Sequence, residues 1–188
     1  ARRMKGYSFF SYSSNEALHM SEREKTIILN CFQEIHEELD AVIDKHTKQI
    51  VASNIETLLN HCVRFYERQF VTREVTNSTV LDKFEKLLSD YFNSDMPKTI
   101  GLPSVQYFAD KACLSSNYFG DLIKKETGKS AQEYIQLATI AQAKELLSDT
   151  GKTIGEIAYE LGFNYPHHFN RIFKKMTGMT PNEYRIAN

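Results

Sequence analysis

A chain of 188 residues with 41% hydrophobic and 25% charged residues, and a formal net charge of −1, has the balance of one or two small folded domains. No apolar run approaches the eighteen or so residues that a membrane span needs, and no secretory leader pattern is present. Cys31, Cys62 and Cys113 lie too far apart for paired zinc spacing or a disulfide framework, which points to reduced thiols in a cytoplasm.

In chain order, residues 1–20 interleave Tyr7, Phe9, Phe10 and Tyr12 with serines, and the alternation predicts one strand. A single strand needs partners, and no other clear strand follows. The chain starts on Ala rather than Met, so this stretch is expected to be either a tail or the last strand of a truncated upstream domain. Ser21 and Glu24 form a capping-box pattern, which starts a helix carrying Ile28, Phe32, Ile35, Leu39 and Val42 at alternating four- and three-residue spacing. A second helix is predicted from about Asp44 to Phe70, with Val51, Ile55, Leu58, Cys62 and Phe65 at the same spacing. A third runs from about Thr79 to Phe92 and buries Leu81, Phe84, Leu88 and Tyr91. The three helices either pack on one another or let the first two pair across a two-fold axis. The dimer is the preferred reading, with residues 21–95 as the dimerisation region and Ile28, Phe32, Ile35, Leu39 and Val42 as its seam. Residues 93–103 hold two Pro, one Gly and an Asn-Ser-Asp run, so 96–103 is expected to be the linker between domains.

From residue 104 to 188 the pattern changes. Ser104 caps a short helix with Val105, Phe108, Ala109 and Ala112 on its inner face. A turn at Cys113-Leu114 leads to Ser115, the N-cap of a helix over about 116–126 that buries Tyr118, Phe119, Leu122 and Ile123 and is closed by Gly128. Ser130 and Glu133 cap a longer helix to Leu147, roughly 27 Å at the usual rise per residue. Asp149-Thr150-Gly151 ends it. Thr153 and Glu156 then form a capping box ahead of Ile154, Ile157, Ala158 and Leu161, and Gly162 supplies a left-handed stop. Asn164 can cap the next helix, over about 166–176, with Pro166 in its first turn. Phe169, Ile172, Phe173 and Met176 line one side of it, and His167, His168, Asn170, Arg171, Lys174 and Lys175 the other. Thr180, Pro181 and Glu183 cap a last short helix.

Two short helices joined by a tight turn make a helix-turn-helix, and this chain uses the unit twice. Residues 123–134 read IKKETGKSAQEY and residues 173–184 read FKKMTGMTPNEY, fifty residues apart. Phe108-Ala109 matches Ile157-Ala158 and Leu114 matches Phe163 at an offset of forty-nine, so one residue is inserted at the second turn. The charge balance does not advertise the function: residues 104–188 hold 10 Lys and Arg against 9 Asp and Glu, leaving +1. The basic footprint is local, at Lys124, Lys125 and Lys129 and again at Arg171, Lys174 and Lys175. A basic run alone reads as a solvated helix face; repetition at matching positions of two helix-turn-helix units reverses that reading.

Ile157-Ala158, Leu161-Gly162-Phe163, Phe169, Phe173-Lys174-Lys175, Thr177-Gly178 and Thr180-Pro181 through Arg185 resemble the DNA-binding domain of the AraC/XylS family of bacterial transcription regulators. The resemblance covers roughly residues 104–186. It implies an all-α fold: two tandem helix-turn-helix units joined by a linker helix, here preceded by a three-helix dimerisation region and a short strand remnant. It also implies an effector-sensing barrel upstream, so a small-molecule effector is expected only through that missing part. RNA polymerase is an implied further partner, and activation the implied role.

Base readers must lie on the outer face near the start of each recognition helix. In the first helix these are Asn117, Gly120 and Asp121, flanked by Ser116 and Lys124. In the second they are Pro166, His167 and Arg171, flanked by His168, Asn170 and Lys174. The resemblance assigns base contacts to the same positions. Asn suits adenine, Asp suits cytosine N4, and Arg171 suits guanine O6 and N7. Lys124, Lys125, Lys174 and Lys175 are assigned to phosphates. Three residues depart from the family pattern: Thr139 where Arg is common, Cys113 where the turn usually has Gly, and Ile123 where Phe is usual. Cys113 implies a first turn without a left-handed residue.

A metal-dependent or nucleophilic enzyme would need clustered ligands or a Cys–His pair. His36, His46 and His61 show no ligand spacing, and His61 and Cys62, as helix neighbours, point apart. No enzyme activity, metal or cofactor is expected. The competing reading is a helical protein–protein interaction module without DNA binding, and a gel shift against random duplex separates the two.

Overall fold

The computed structural model describes residues 7–72, 74–149 and 151–187, with backbone alone over 71–72 and 74–78. Residues 1–6 of the expected tail or strand, and Thr150 of the expected turn, lie outside the described residues. Ten α-helices occur among the described residues, with no strand. The chain divides into two compact units, Ala1–Asn77 and Ser78–Asn188.

The first unit is a helical hairpin, α1 (Glu22–Asp40) packed on α2 (Thr47–Thr72). The Ser21–Glu24 capping box forms as expected, and Glu24 also receives Arg68 Nε of α2 at 2.7 Å, which fixes the register of the hairpin. The predicted strand is not there. Residues Ser8–Ser11 and Ser14–Glu16 are 3-10 turns, and the segment lies along α2. Phe9 stacks on Tyr66 at 5.4 Å, Tyr12 meets the same ring edge-on, and the His19 amide donates to Gln69 Oε1 at 2.7 Å. The alternating aromatics use a helix as their partner instead of a second strand.

The heptad positions are not covered alike within the hairpin. Ile28 is buried with Cys31 against α2 and Ile35 is half-buried, but Phe32 and Leu39 are 55% and 53% exposed. Val42 lies beyond the end of α1 and is 94% exposed. The second helix starts at Thr47 rather than Asp44, because Asp44 Oδ1 accepts from the amides of His46 and Thr47 and acts ahead of the helix as its cap.

The second unit holds α3 (Glu74–Phe92) from Ser78 onward, α4 (Met96–Ile100), α5 (Val105–Lys111), α6 (Ser116–Thr127), α7 (Ala131–Leu147), α8 (Ile154–Glu160), α9 (Pro166–Thr177) and α10 (Pro181–Ala187). Two expectations are corrected here. The third helix does not belong with the first two: Phe84 packs edge-on against Phe108 and Phe119, so α3 completes the core of α5 and α6. The expected linker contains a helix, α4, with Pro97 at its start, where a missing amide costs nothing.

Two cores result. One gathers Phe84, Phe108, Phe119, Leu122, Ile123 and Ile135. The other gathers Ile140, Ala143, Leu147, Ile157, Leu161, Phe163, Phe169 and Phe173. Helix α7 contributes to both and joins them, at about 25 Å for its 17 residues. Thr139, at its middle, is buried and returns its hydroxyl to the Ile135 carbonyl at 2.8 Å.

Candidate nucleic-acid interface

The repeat seen in the sequence is a repeat of hydrogen bonds. The Leu114 amide donates to the Ala109 carbonyl and the Phe163 amide to the Ala158 carbonyl, both at 2.9 Å. Gly128 and Gly178 end α6 and α9 in left-handed geometry, each donating to a lysine carbonyl four residues back at 2.9 Å. Thr127 Oγ1 donates to the Ile123 carbonyl at 2.7 Å, and Thr177 Oγ1 to the Phe173 carbonyl at 2.8 Å. The inserted residue of the second turn is Asn164. Ser115 follows Leu114 directly as N-cap of α6, whereas Tyr165, two residues after Phe163, stands before α9.

That placement corrects two expectations. The N-cap of α9 is Tyr165, with no side-chain cap, and Asn164 precedes it. Cys113 has φ of 57°, so the first turn is left-handed as the second is at Gly162, φ 91°. The helix-turn-helix geometry imposes the left-handed residue whether or not glycine supplies it.

Each recognition helix is anchored by its apolar face. Tyr118, Phe119, Leu122 and Ile123 of α6 are buried, as are Phe169 and Phe173 of α9. The opposite faces carry the expected readers. On α6, Asn117, Lys124 and Lys125 are exposed, and Ser116, Gly120 and Asp121 are half-exposed. On α9, His167, Asn170, Arg171, Lys174 and Lys175 are exposed, and Pro166 and His168 are half-buried. His168 turns back onto the Phe163 ring, edge-on at 5.8 Å, so its position is more structural than that of His167. Asp121 and Arg171 stand fifty residues apart at equivalent positions of the two units, with opposite charge. Gly120 leaves a gap on α6, since a Cβ there would meet nothing within 4 Å.

Two exposed residues escaped the sequence reading. Tyr165 is 64% exposed and its ring stacks on His167 at 5.5 Å, at the start of α9. The signal was Pro166: a residue before proline is pushed into extended backbone, and Tyr165 has φ −136° and ψ 120°. Gln106 of α5 accepts from Ser116 Oγ at 2.6 Å and donates to Asp110, so the entry to α6 is a small polar network rather than a lone serine.

Comparison with known proteins agrees with this geometry. A family profile described as a helix-turn-helix domain matches residues 108–187. The chain is 32% identical over 117 residues to the transcriptional regulatory protein YesN of Bacillus subtilis, covering 60% of this chain and 30% of that protein. It is 27% identical over 161 residues to the HTH-type transcriptional regulator YfiF of the same organism, covering 86% of this chain and 48% of that protein. It therefore spans less than half the length of these two curated relatives. The C-terminal domain of AraT, a response regulator from Geobacillus stearothermophilus, superposes with a TM-score of 0.51 at 27% identity, over 58% of this chain and 85% of that one. With its duplicated helix-turn-helix, the C-terminal part of the chain matches the helix-turn-helix family over residues 108–187 and is similar to the DNA-binding domains of these transcription regulators.

Proposed function

We propose that this chain is a transcription regulator that binds double-stranded DNA in a sequence-specific manner, α6 and α9 entering successive major grooves. One observation carries the reading: two hydrogen-bonded copies of the same unit turn polar and basic side chains outward from helices whose other faces are buried. Asn117, Asp121, His167 and Arg171 read base edges, with Gly120 and Pro166 allowing close approach, and Lys124, Lys125, Lys174 and Lys175 engage phosphates. Ser116, His168 and Asn170 flank them. The reading makes the protein cytoplasmic and no enzyme, with RNA polymerase as a further partner in activation.

Phe32, Leu39 and Val42, too exposed for a hairpin core, supply the face of a homodimer, with the half-buried Ile35 beside them and Ile28 buried behind. A sedimentation experiment at tens of micromolar checks this separately: dimers are expected, and monomers alone would remove the interface.

Selection from a random-sequence duplex pool, followed by gel shift, tests the central reading. Enrichment of a motif with two sub-sites is expected. Total absence of binding at low salt would favour the alternative, a helical interaction module.

A further inference from the structure

The second unit contains a feature that two helix-turn-helix motifs and a strut do not require. Helix α3 lies along α7 and meets both halves. At one end Phe84 packs on Phe108 and Phe119, while the Tyr134 hydroxyl of α7 donates to Glu85. At the other end Phe92 packs against the core formed by α7, α8 and α9. Helix α4 then carries the chain to the turn of the second motif. There Gly101, at φ 98° and ψ −153°, approaches Gly162 so closely that a Cβ on Gly162 would stand 2.5 Å from the Gly101 carbonyl carbon and 2.9 Å from the Leu102 amide nitrogen. The Gly101 carbonyl is held by the Tyr91 hydroxyl at 2.9 Å, and Tyr91 is 1% exposed. Two glycines in left-handed geometry and one buried hydroxyl thus fasten α3 and α4 to the turn that aims α9.

We propose that α3 and α4 form a bracket fixing the separation of α6 and α9, with Tyr91, Gly101 and Gly162 as its positioning residues, so that the domain accepts only one spacing between the two halves of its site. The spacing clause rests on the DNA-binding reading above; the bracket does not. A side chain on Gly162 would force the two glycines apart, because the atoms in its way are the backbone of Gly101 and Leu102 and cannot swing aside. Loss of the Tyr91 hydroxyl would free Gly101 while leaving the ring in its aromatic contacts with Tyr107 and Phe108. Helix α7 and the packing of Phe92 would then hold the two reading helices without the fastening of α4 at Gly101.

The test uses the full chain with Tyr91→Phe and Gly162→Ala, the first guarding against a second variant that fails to fold. Affinities are measured on a selected duplex and on the same duplex with one base pair inserted between its sub-sites. The wild type is expected to lose at least tenfold on insertion, and Tyr91→Phe less than threefold. In parallel, spin labels on non-natural amino acids at positions 125 and 175 report the separation of α6 and α9 without DNA, narrow in the wild type and broader in both variants. Unchanged distances in Tyr91→Phe would overturn the bracket, and broader distances with an unaltered insertion penalty would overturn its role in spacing. If the wild type binds no duplex selectively, the DNA reading fails together with the spacing clause, and the distances alone decide the bracket.

Discussion

Arg185 of α10 donates from Nε to the Leu147 carbonyl at the C-terminus of α7, 3.2 Å away, and its Nη2 lies 3.5 Å from the Asp149 carbonyl. A cation here satisfies helix-end carbonyls and opposes the negative end of the helix dipole. Arg185→Ala should therefore destabilise the second unit by about 1–2 kcal/mol. Urea denaturation of the full chain would detect this as a lower midpoint for that unit. An unshifted midpoint would show that α10 is held by Tyr184 and Pro181 alone.

Arg171 and Lys174 test the division between base and phosphate contacts. If Arg171 reads guanine, Arg171→Ala costs about 1–3 kcal/mol on the selected site and relaxes preference at one base pair. Lys174→Ala should weaken all duplexes about equally and lower the salt slope by about one. An equal loss on every sequence for Arg171→Ala would reassign it to phosphate.

Gly120 sits inside α6 with open space where a Cβ would be. Glycine within a helix costs up to about 1 kcal/mol relative to alanine, so Gly120→Ala should raise stability by up to about that amount. If the gap serves close approach to DNA, the same variant should bind the selected site more weakly. Thermal unfolding and fluorescence anisotropy give the two signs. Tighter binding would mean that the glycine has no part in the interface.

Acid should unlock the capping boxes. Glu156 and Glu183 titrate below the usual carboxylate range, first because the Thr153 and Thr180 amides donate to them and then through the threonine hydroxyls. A depressed folded-state value gives stability that is present above the unfolded value of about 4.3 and is lost as pH falls through the folded value. The melting temperature of the wild type should fall below about pH 4.3, and less steeply in a Glu156→Gln, Glu183→Gln variant. Identical slopes would place the acid sensitivity elsewhere.

Local signals were legible and tertiary ones were not. Ser21 with Glu24, Thr153 with Glu156 and Thr180 with Glu183 were readable because each pair satisfies amides three residues away and needs no other part of the chain. The duplication was legible because Thr127 and Thr177 make the same bonds within their own segments. The strand at Tyr7–Tyr12 was misread because alternating aromatics fit any flat apolar partner, and Tyr66 of α2 provides it. The placement of α3 was misread because the spacing of Phe84, Leu88 and Tyr91 shows that a face is buried, but not that Phe108 and Phe119 bury it. Helix α4 left a cue, Asp95 and Met96 ahead of Pro97, hidden by the neighbouring glycine and second proline. The left-handed Cys113 had no cue in its side chain, since the neighbouring helices dictate its backbone.

Asp121 and Arg171 sit at matching places on near-identical supports. A molecule built this way has a front and a back when it settles on a duplex. Turning it end for end would bring an acid where a base stood, so the two orientations differ in energy. A single copy would need no palindrome to know which way it points, and the direction of the neighbouring gene could be encoded in how it lands.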